Sequence, residues 1–105
     1  MKARSPNSKN VKPQQHILGE RETPYISTTK DYEIASPVYN RNRTPIVKID
    51  LKKVTTEVID FTNKDVIKFY LDNPKAIYNV LKDAEVLIKE KIVPEAIIKI
   101  IWPGT

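Results

Sequence analysis

The 105-residue chain has no cysteine, two glycines, one histidine and one tryptophan, and its single methionine is residue 1. The lack of cysteine excludes disulfides, thiolate metal sites and a cysteine nucleophile together. One histidine without cysteine leaves no ligand set for a structural zinc, and no D-x-D-x-D-G loop offers a hard-metal site, so no metal is expected. No apolar run is long enough to read as a membrane-spanning helix, which needs roughly 18 residues, so no membrane span is expected. The opening MKARSPNSKNVKPQQH is basic and lacks the apolar core of a secretory signal.

What is present is charge, and it is unevenly spread. Residues 1–30 hold six Lys/Arg against two Glu, and residues 31–53 hold five against three acidic residues. Residues 54–105 reverse the balance, with seven against eight. The net charge of +5 therefore resides in the first half, where a polyanionic partner would be steered. A solvated basic tail with no partner produces the same pattern.

Residues 1–15 read as a basic extended arm, since Pro6, Pro13, the asparagines and the paired glutamines leave little to bury. Residues 16–105 then form one domain, within the usual size range for a single core. Tyr25–Thr29 is β-prone, and His16 with Ile17-Leu18 reads as a strand or strand edge. Thr29 is placed to cap a short helix through Ala35, which Ser36-Pro37 ends, and Val38–Thr44 is a polar loop. Pro45–Leu51 and Thr56–Phe61 are strands, and Asn63 caps a helix from Lys64 to about Leu71. Asn73-Pro74 opens another helix, with Ile77, Val80, Leu81 and Ala84 as its buried stripe. Glu85–Lys89 and Ile97–Trp102 complete the strands. The order does not alternate in a βαβ rhythm. It predicts an α+β fold, a small twisted mostly antiparallel sheet with two to three helices on one face.

The densest set of reactive side chains is HILGERETPYISTT, residues 16–29. His16 is the one side chain able to exchange protons near neutrality without perturbation. Arg21 offers a guanidinium that matches phosphate oxygens, and Ser27, Thr28 and Thr29 offer hydroxyls. Alternation along a strand lets either Ser27 and Thr29, or Thr28 alone, share a face with a site. His16 as general acid/base, Arg21 as phosphate clamp and Thr28 as hydrogen-bond donor together suit metal-independent cleavage of RNA. There the 2′-hydroxyl attacks phosphorus and the protein supplies no nucleophile. Lys9, Lys12, Arg41 and Arg43 would bind and steer the RNA, and no cofactor is needed. Glu85, at the start of a strand, is a further candidate carboxylate.

The run H-x-x-G-x-R-x-x-P-Y-I-S-T-T-K-D, with the later IVKIDL and EVLIKEKIVPEAI segments, resembles the C-terminal toxin domains of bacterial polymorphic toxins of the contact-dependent growth inhibition and Rhs type. The resemblance implies a toxin-like catalytic domain, residues 16–105, carried as the tip of a larger secreted protein. It also implies action in the cytoplasm of a target bacterium and a cognate immunity protein as partner. Some such tips resemble transfer RNA nucleases, and some of these use elongation factor Tu. Others resemble the ADP-ribosyltransferase fold, in which a histidine or arginine, an S-T-S-like strand and a late glutamate act on NAD. Mapped here, that set is His16, Ser27-Thr28-Thr29 and Glu85. The gap from His16 to Ser27 holds only ten residues, too few for the helix that such transferases place there to form an NAD cleft.

The leading expectation is thus an antibacterial ribonuclease acting on transfer RNA, with His16, Arg21 and Thr28 at its centre. The second is an ADP-ribosyltransferase or NAD-consuming toxin using His16, Ser27 and Glu85, with NAD as substrate. The third is a non-catalytic basic binding module.

Overall fold

The computed structural model describes residues 1–30 and 45–102. Most of the helix expected through Ala35, and the loop bearing Arg41 and Arg43, lie outside the described residues. Among the described residues the order is α1 (Pro13–Ile17), β1 (Tyr25–Thr29), β2 (Ile46–Ile49), β3 (Val58–Asp60), α2 (Lys64–Tyr70), α3 (Pro74–Asp83), β4 (Glu85–Lys89) and β5 (Ile97–Ile101). Short 3-10 turns at Leu51–Lys53 and Pro94–Ala96 follow β2 and precede β5.

The fold is α+β. Its strands divide into two antiparallel sheets, one three-stranded in the order β1-β4-β3 and one pairing β2 with β5. β4 is central and its EVLIK sequence explains why. Val86, Leu87 and Ile88 are all buried, because both faces of the strand are covered. Ser27 opposes Leu87 and Thr29 opposes Glu85, so Tyr25, Ser27, Thr29, Glu85 and Leu87 share one face. On that face Tyr25, Ile59 and Leu87 pack with Phe61 and with Ile67, Leu71, Ala76 and Val80 from the helical segments. The opposite face carries Ile88, which packs with Ile92 and Ala96 and with Ile26, Ile49, Val58 and Ile97. Helices therefore cover one face of the main sheet and the β2–β5 pair covers the other.

The helix starts follow local chemistry. Asn63 Oδ1 accepts from the Asp65 N–H at 2.8 Å, and Asn73 Oδ1 accepts from the Lys75 N–H at 2.9 Å. These bonds satisfy donors that the first helical turn leaves open. Pro74 occupies the first position of α3, where its missing N–H costs nothing. The buried stripe of α3 is Ala76 and Val80 with Ile77 partly covered, whereas Leu81 is 62% exposed. Leu81 fits the spacing of the stripe but falls on its outer margin. Where the helix meets the sheet decides the margin, and spacing does not encode it.

Residues 1–15 are not a separate arm. Ala3 is buried, its N–H donates to Glu90 O at 2.7 Å, and the Ser5 N–H donates to Thr23 O at 3.1 Å. The Ile92 N–H closes the same edge on Met1 O at 2.8 Å. Backbone pairing needs no apolar side chain, so a composition poor in them hides it. Residues Pro13–Gln15 already belong to α1.

Candidate active site

His16 stands in α1, not on a strand. Pro13 at the first helical position favours the turn. Gln15 Oε1 accepts from the Lys12 N–H at 2.7 Å as half of a capping box. Gly19, at φ 113°, then reverses the chain in a conformation that disfavours side chains. Gln14 fixes the short helix to the body. Its Oε1 accepts from the N–H groups of Asp72 and Asn73 at 2.8 and 2.9 Å, and its Nε2 donates to Asp72 Oδ1 at 2.8 Å. So short a helix would not persist alone. This clamp, with the His16 and Tyr25 rings edge-on and their centres 5.9 Å apart, sets the imidazole.

Both imidazole nitrogens are engaged. Nδ1 lies 2.6 Å from Thr23 Oγ1 and Nε2 lies 2.7 Å from Ser27 Oγ. Ser27 lies diagonal to Glu85 across the β1–β4 pair and lines the same cavity, where its hydroxyl favours the ionised carboxylate. Glu85 is delivered to this place by the end of β1. The Thr29 hydroxyl donates to Asp83 O at 2.6 Å and the Lys30 N–H donates to Ala84 O at 3.1 Å. Ala84 then turns through a left-handed conformation at φ 47° into β4. The Thr29 hydroxyl thus helps hold the turn before Glu85, while the helix that Thr29 is expected to cap lies mostly outside the described residues.

The environment moves both titratable groups toward neutrality. Burial lowers the His16 pKa from its ordinary value, because the imidazolium loses solvation. Burial pushes Glu85 up to about 7, and the charge of Asp83 adds to the rise, while the Ser27 hydrogen bond opposes it. His16, Ser27, Asn79, Lys82, Asp83 and Glu85 line a cavity of about 310 Å³ between α1, α3 and the β1–β4 face. A larger cavity of about 630 Å³ adjoins the opposite face of β1, but among the described residues its walls are mainly apolar and include no histidine or carboxylate.

The other expected site residues are not drawn in. Thr28 faces away from His16, and its hydroxyl donates to Val86 O at 2.7 Å. Arg21 is exposed in the loop after α1 and does not line the cavity. Two short-range reasons explain these corrections: strand alternation puts Thr28 on the far face, and the Gly19 turn carries Arg21 outward. Lys9 and Lys12 are exposed on the segment leading into α1, while Arg41 and Arg43 lie outside the described residues. Sequence reasoning missed Thr23, Asn79 and Lys82. Asn79 and Lys82 are three apart on one helix beside a strand-opening Glu85, a spacing that signals a shared face. Thr23 carries no such signal.

Among the described residues no group of three or more His, Cys, Asp or Glu is placed to hold a metal ion. No helix among them is long and apolar enough to cross a membrane. No protein-family model matches the chain, and no curated protein or solved structure matches it.

Proposed function

We propose that the chain cleaves the nicotinamide–ribose bond of NAD, passing the ADP-ribosyl group to water or to an acceptor. The observation that carries this reading is the set His16, Ser27 and Glu85 gathered on one cavity, which among the described residues is also lined by Lys82 and Asp83. Rupture of a glycosidic bond develops positive charge on the ribose ring, and a carboxylate in a partly desolvated cavity stabilises that charge. RNA cleavage instead develops negative charge at phosphorus. Asp83 and Glu85 would oppose it, while the expected clamp Arg21 stands outside.

In the proposed reaction the C1′–N bond breaks and its electron pair passes to the nicotinamide nitrogen, which becomes neutral. Water or an acceptor supplies the new bond to C1′ and gives up a proton. Glu85, ionised, faces the cationic ribose, and Ser27 holds its carboxylate in place. His16 holds Ser27, and Lys82 at the wall suits an anionic part of the substrate. A positively charged nicotinamide entering beside Glu85 favours the carboxylate form. The three residues are those implied by the resemblance to ADP-ribosyltransferase-fold toxins, and the role proposed for the chain is accordingly that of a toxin domain. An immunity protein covering the cavity would be its natural antagonist.

The RNA reading keeps one supporting observation, since His16 and Glu85 on one cavity also make an acid–base pair near neutral pH. The test runs both substrates in EDTA: NAD with detection of free nicotinamide, and total RNA with detection of shortened species. Nicotinamide release that vanishes in Glu85→Gln is the expected result. RNA shortening without loss of NAD would overturn the reading in favour of the nuclease.

A further inference from the structure

We infer that Thr23 is a positioning residue which fixes the tautomer of His16, so that a directed chain of hydrogen bonds runs to Ser27 and leaves the Ser27 proton for the neighbouring Glu85. Thr23 is a buried polar residue, 1% exposed, just ahead of β1. Its Oγ1 accepts from the Tyr25 N–H at 3.2 Å. The hydroxyl proton then has two candidate acceptors, Tyr25 O at 3.5 Å and His16 Nδ1 at 2.6 Å. The first is too long for an effective O–H···O bond and the second is short, so the proton goes to Nδ1.

An Nδ1 that accepts makes the neutral imidazole the Nε2–H tautomer. Nε2–H, 2.7 Å from Ser27 Oγ, then donates to the serine. Ser27, with a lone pair occupied, keeps its own proton for the Glu85 carboxylate, which lies on the same strand face and cavity wall. Each donor meets an acceptor from the Tyr25 N–H to Ser27 Oγ. The opposite tautomer would make Nε2 an acceptor, draw the Ser27 proton toward the ring and leave the carboxylate without its donor. Thr23 therefore acts on Glu85 through two intermediaries and does not itself line the cavity. The other groups facing His16 leave this order intact: the Tyr25 ring meets it edge-on with centres 5.9 Å apart, and Lys82 and Asp83 line the cavity from α3.

The inference rests on the NAD reading only for its activity arm. In ¹⁵N NMR of the full chain above the His16 titration, the wild type should show a protonated Nε2 and a bare Nδ1. Thr23→Val, which keeps the shape but loses the hydroxyl, should yield a mixture of tautomers, and Thr23→Ser should restore the single one. In nicotinamide release, Thr23→Val should lower kcat by about tenfold with KM changed less than about twofold, a loss on the scale of misaligned acid–base groups. Thr23→Ser should recover most of it. A protonated Nδ1 in the wild type, or an unchanged tautomer ratio in Thr23→Val, would overturn the inference. Absence of any NAD turnover by the wild type would remove the activity arm and leave the tautomer result to stand or fall alone. If Thr23→Val does not fold, the wild-type spectrum still decides.

Discussion

Ser27 and Thr28 are neighbours in one strand with nearly the same side-chain chemistry, yet they belong to different parts of the molecule. Ser27 lies on the helix-covered face, where its hydroxyl meets His16 and shares a cavity with Glu85. Thr28 lies on the face toward the β2–β5 pair, and its hydroxyl is committed to Val86 O. The difference is the two-residue period of the strand. One face of the main sheet mixes a core with a polar cavity at its edge, while the other packs Ile26, Ile88 and their partners. The candidate site is thus confined to one side of a strand whose two sides read alike.

The sharpest way to break this contrast is at the end of the hydrogen-bond chain. Glu85→Gln should reduce nicotinamide release by about a hundredfold or more, the scale of losing an electrostatic stabiliser of the transition state. The same variant should be more stable than the wild type at pH 8. The sign follows from linkage. Folding raises the Glu85 pKa from 4.5 to about 7, so between those values the folded chain keeps a proton that the unfolded chain has lost. Stability from this group is complete below pH 4.5 and is lost as pH rises toward and through 7. A raised pKa of this size corresponds to about 1–3 kcal/mol, allowing for partial exposure. Thermal melts of both proteins at pH 5 and pH 8 check it: the gap should widen markedly at the higher pH.

Ser27→Ala should cost about tenfold to a hundredfold in turnover, as expected for a group that orients a charged partner. It should also move the activity profile, because the Glu85 carboxylate loses the hydrogen bond that favours ionisation. In the wild type, nicotinamide release at low substrate should rise with pH through about 7 as Glu85 ionises. In Ser27→Ala that rise should shift to higher pH. A bell-shaped profile in the wild type would show that a second titrating group takes part in the same reaction.

Thr28→Val provides the counterpart on the other face, where the bond to Val86 O is lost. Activity should remain within about twofold, while stability falls by about 1 kcal/mol, the usual net worth of one hydrogen bond. Denaturant melts with parallel turnover assays separate the two effects. If Thr28→Val proved as damaging to turnover as Ser27→Ala, the assignment of the site to one face would fail. The smallest effect is expected from Arg21→Ala, an exposed loop cation outside the cavity. Nicotinamide release should change by less than about twofold, and stability by no more than about 0.5 kcal/mol, as for other surface substitutions.

Much of this architecture was legible in the chain. Asn63 and Asn73-Pro74 announce two helix starts, since a short side-chain oxygen ahead of an apolar stripe satisfies the open N–H groups. Glu85–Lys89 is legible as a strand in full, because its apolar run lies between a helix end and a turn. His16 is legible as a reactive side chain, but its apolar flanks point to a strand. Such flanks do not distinguish a strand edge from a single helical turn held down by Gln14. The leading partners Arg21 and Thr28 are near in sequence, whereas the pairing of β1 with β4 brings in Glu85, which the sequence offered only in the second set with His16 and Ser27.

The amino-acid sequence by itself determined most element types from Tyr25 onward among the described residues, the lack of any thiol chemistry and the concentration of reactive groups around His16. These depend on local propensity, capping and composition, which act within a few residues. Only the tertiary structure decided which hydroxyl meets the imidazole, which carboxylate completes the set and that Thr23 closes it from behind. Those choices depend on strand register, on the face each helix buries and on desolvation at their junction, and none of the three is a property of neighbouring residues. The histidine was visible from the start, but its partners came from the sheet.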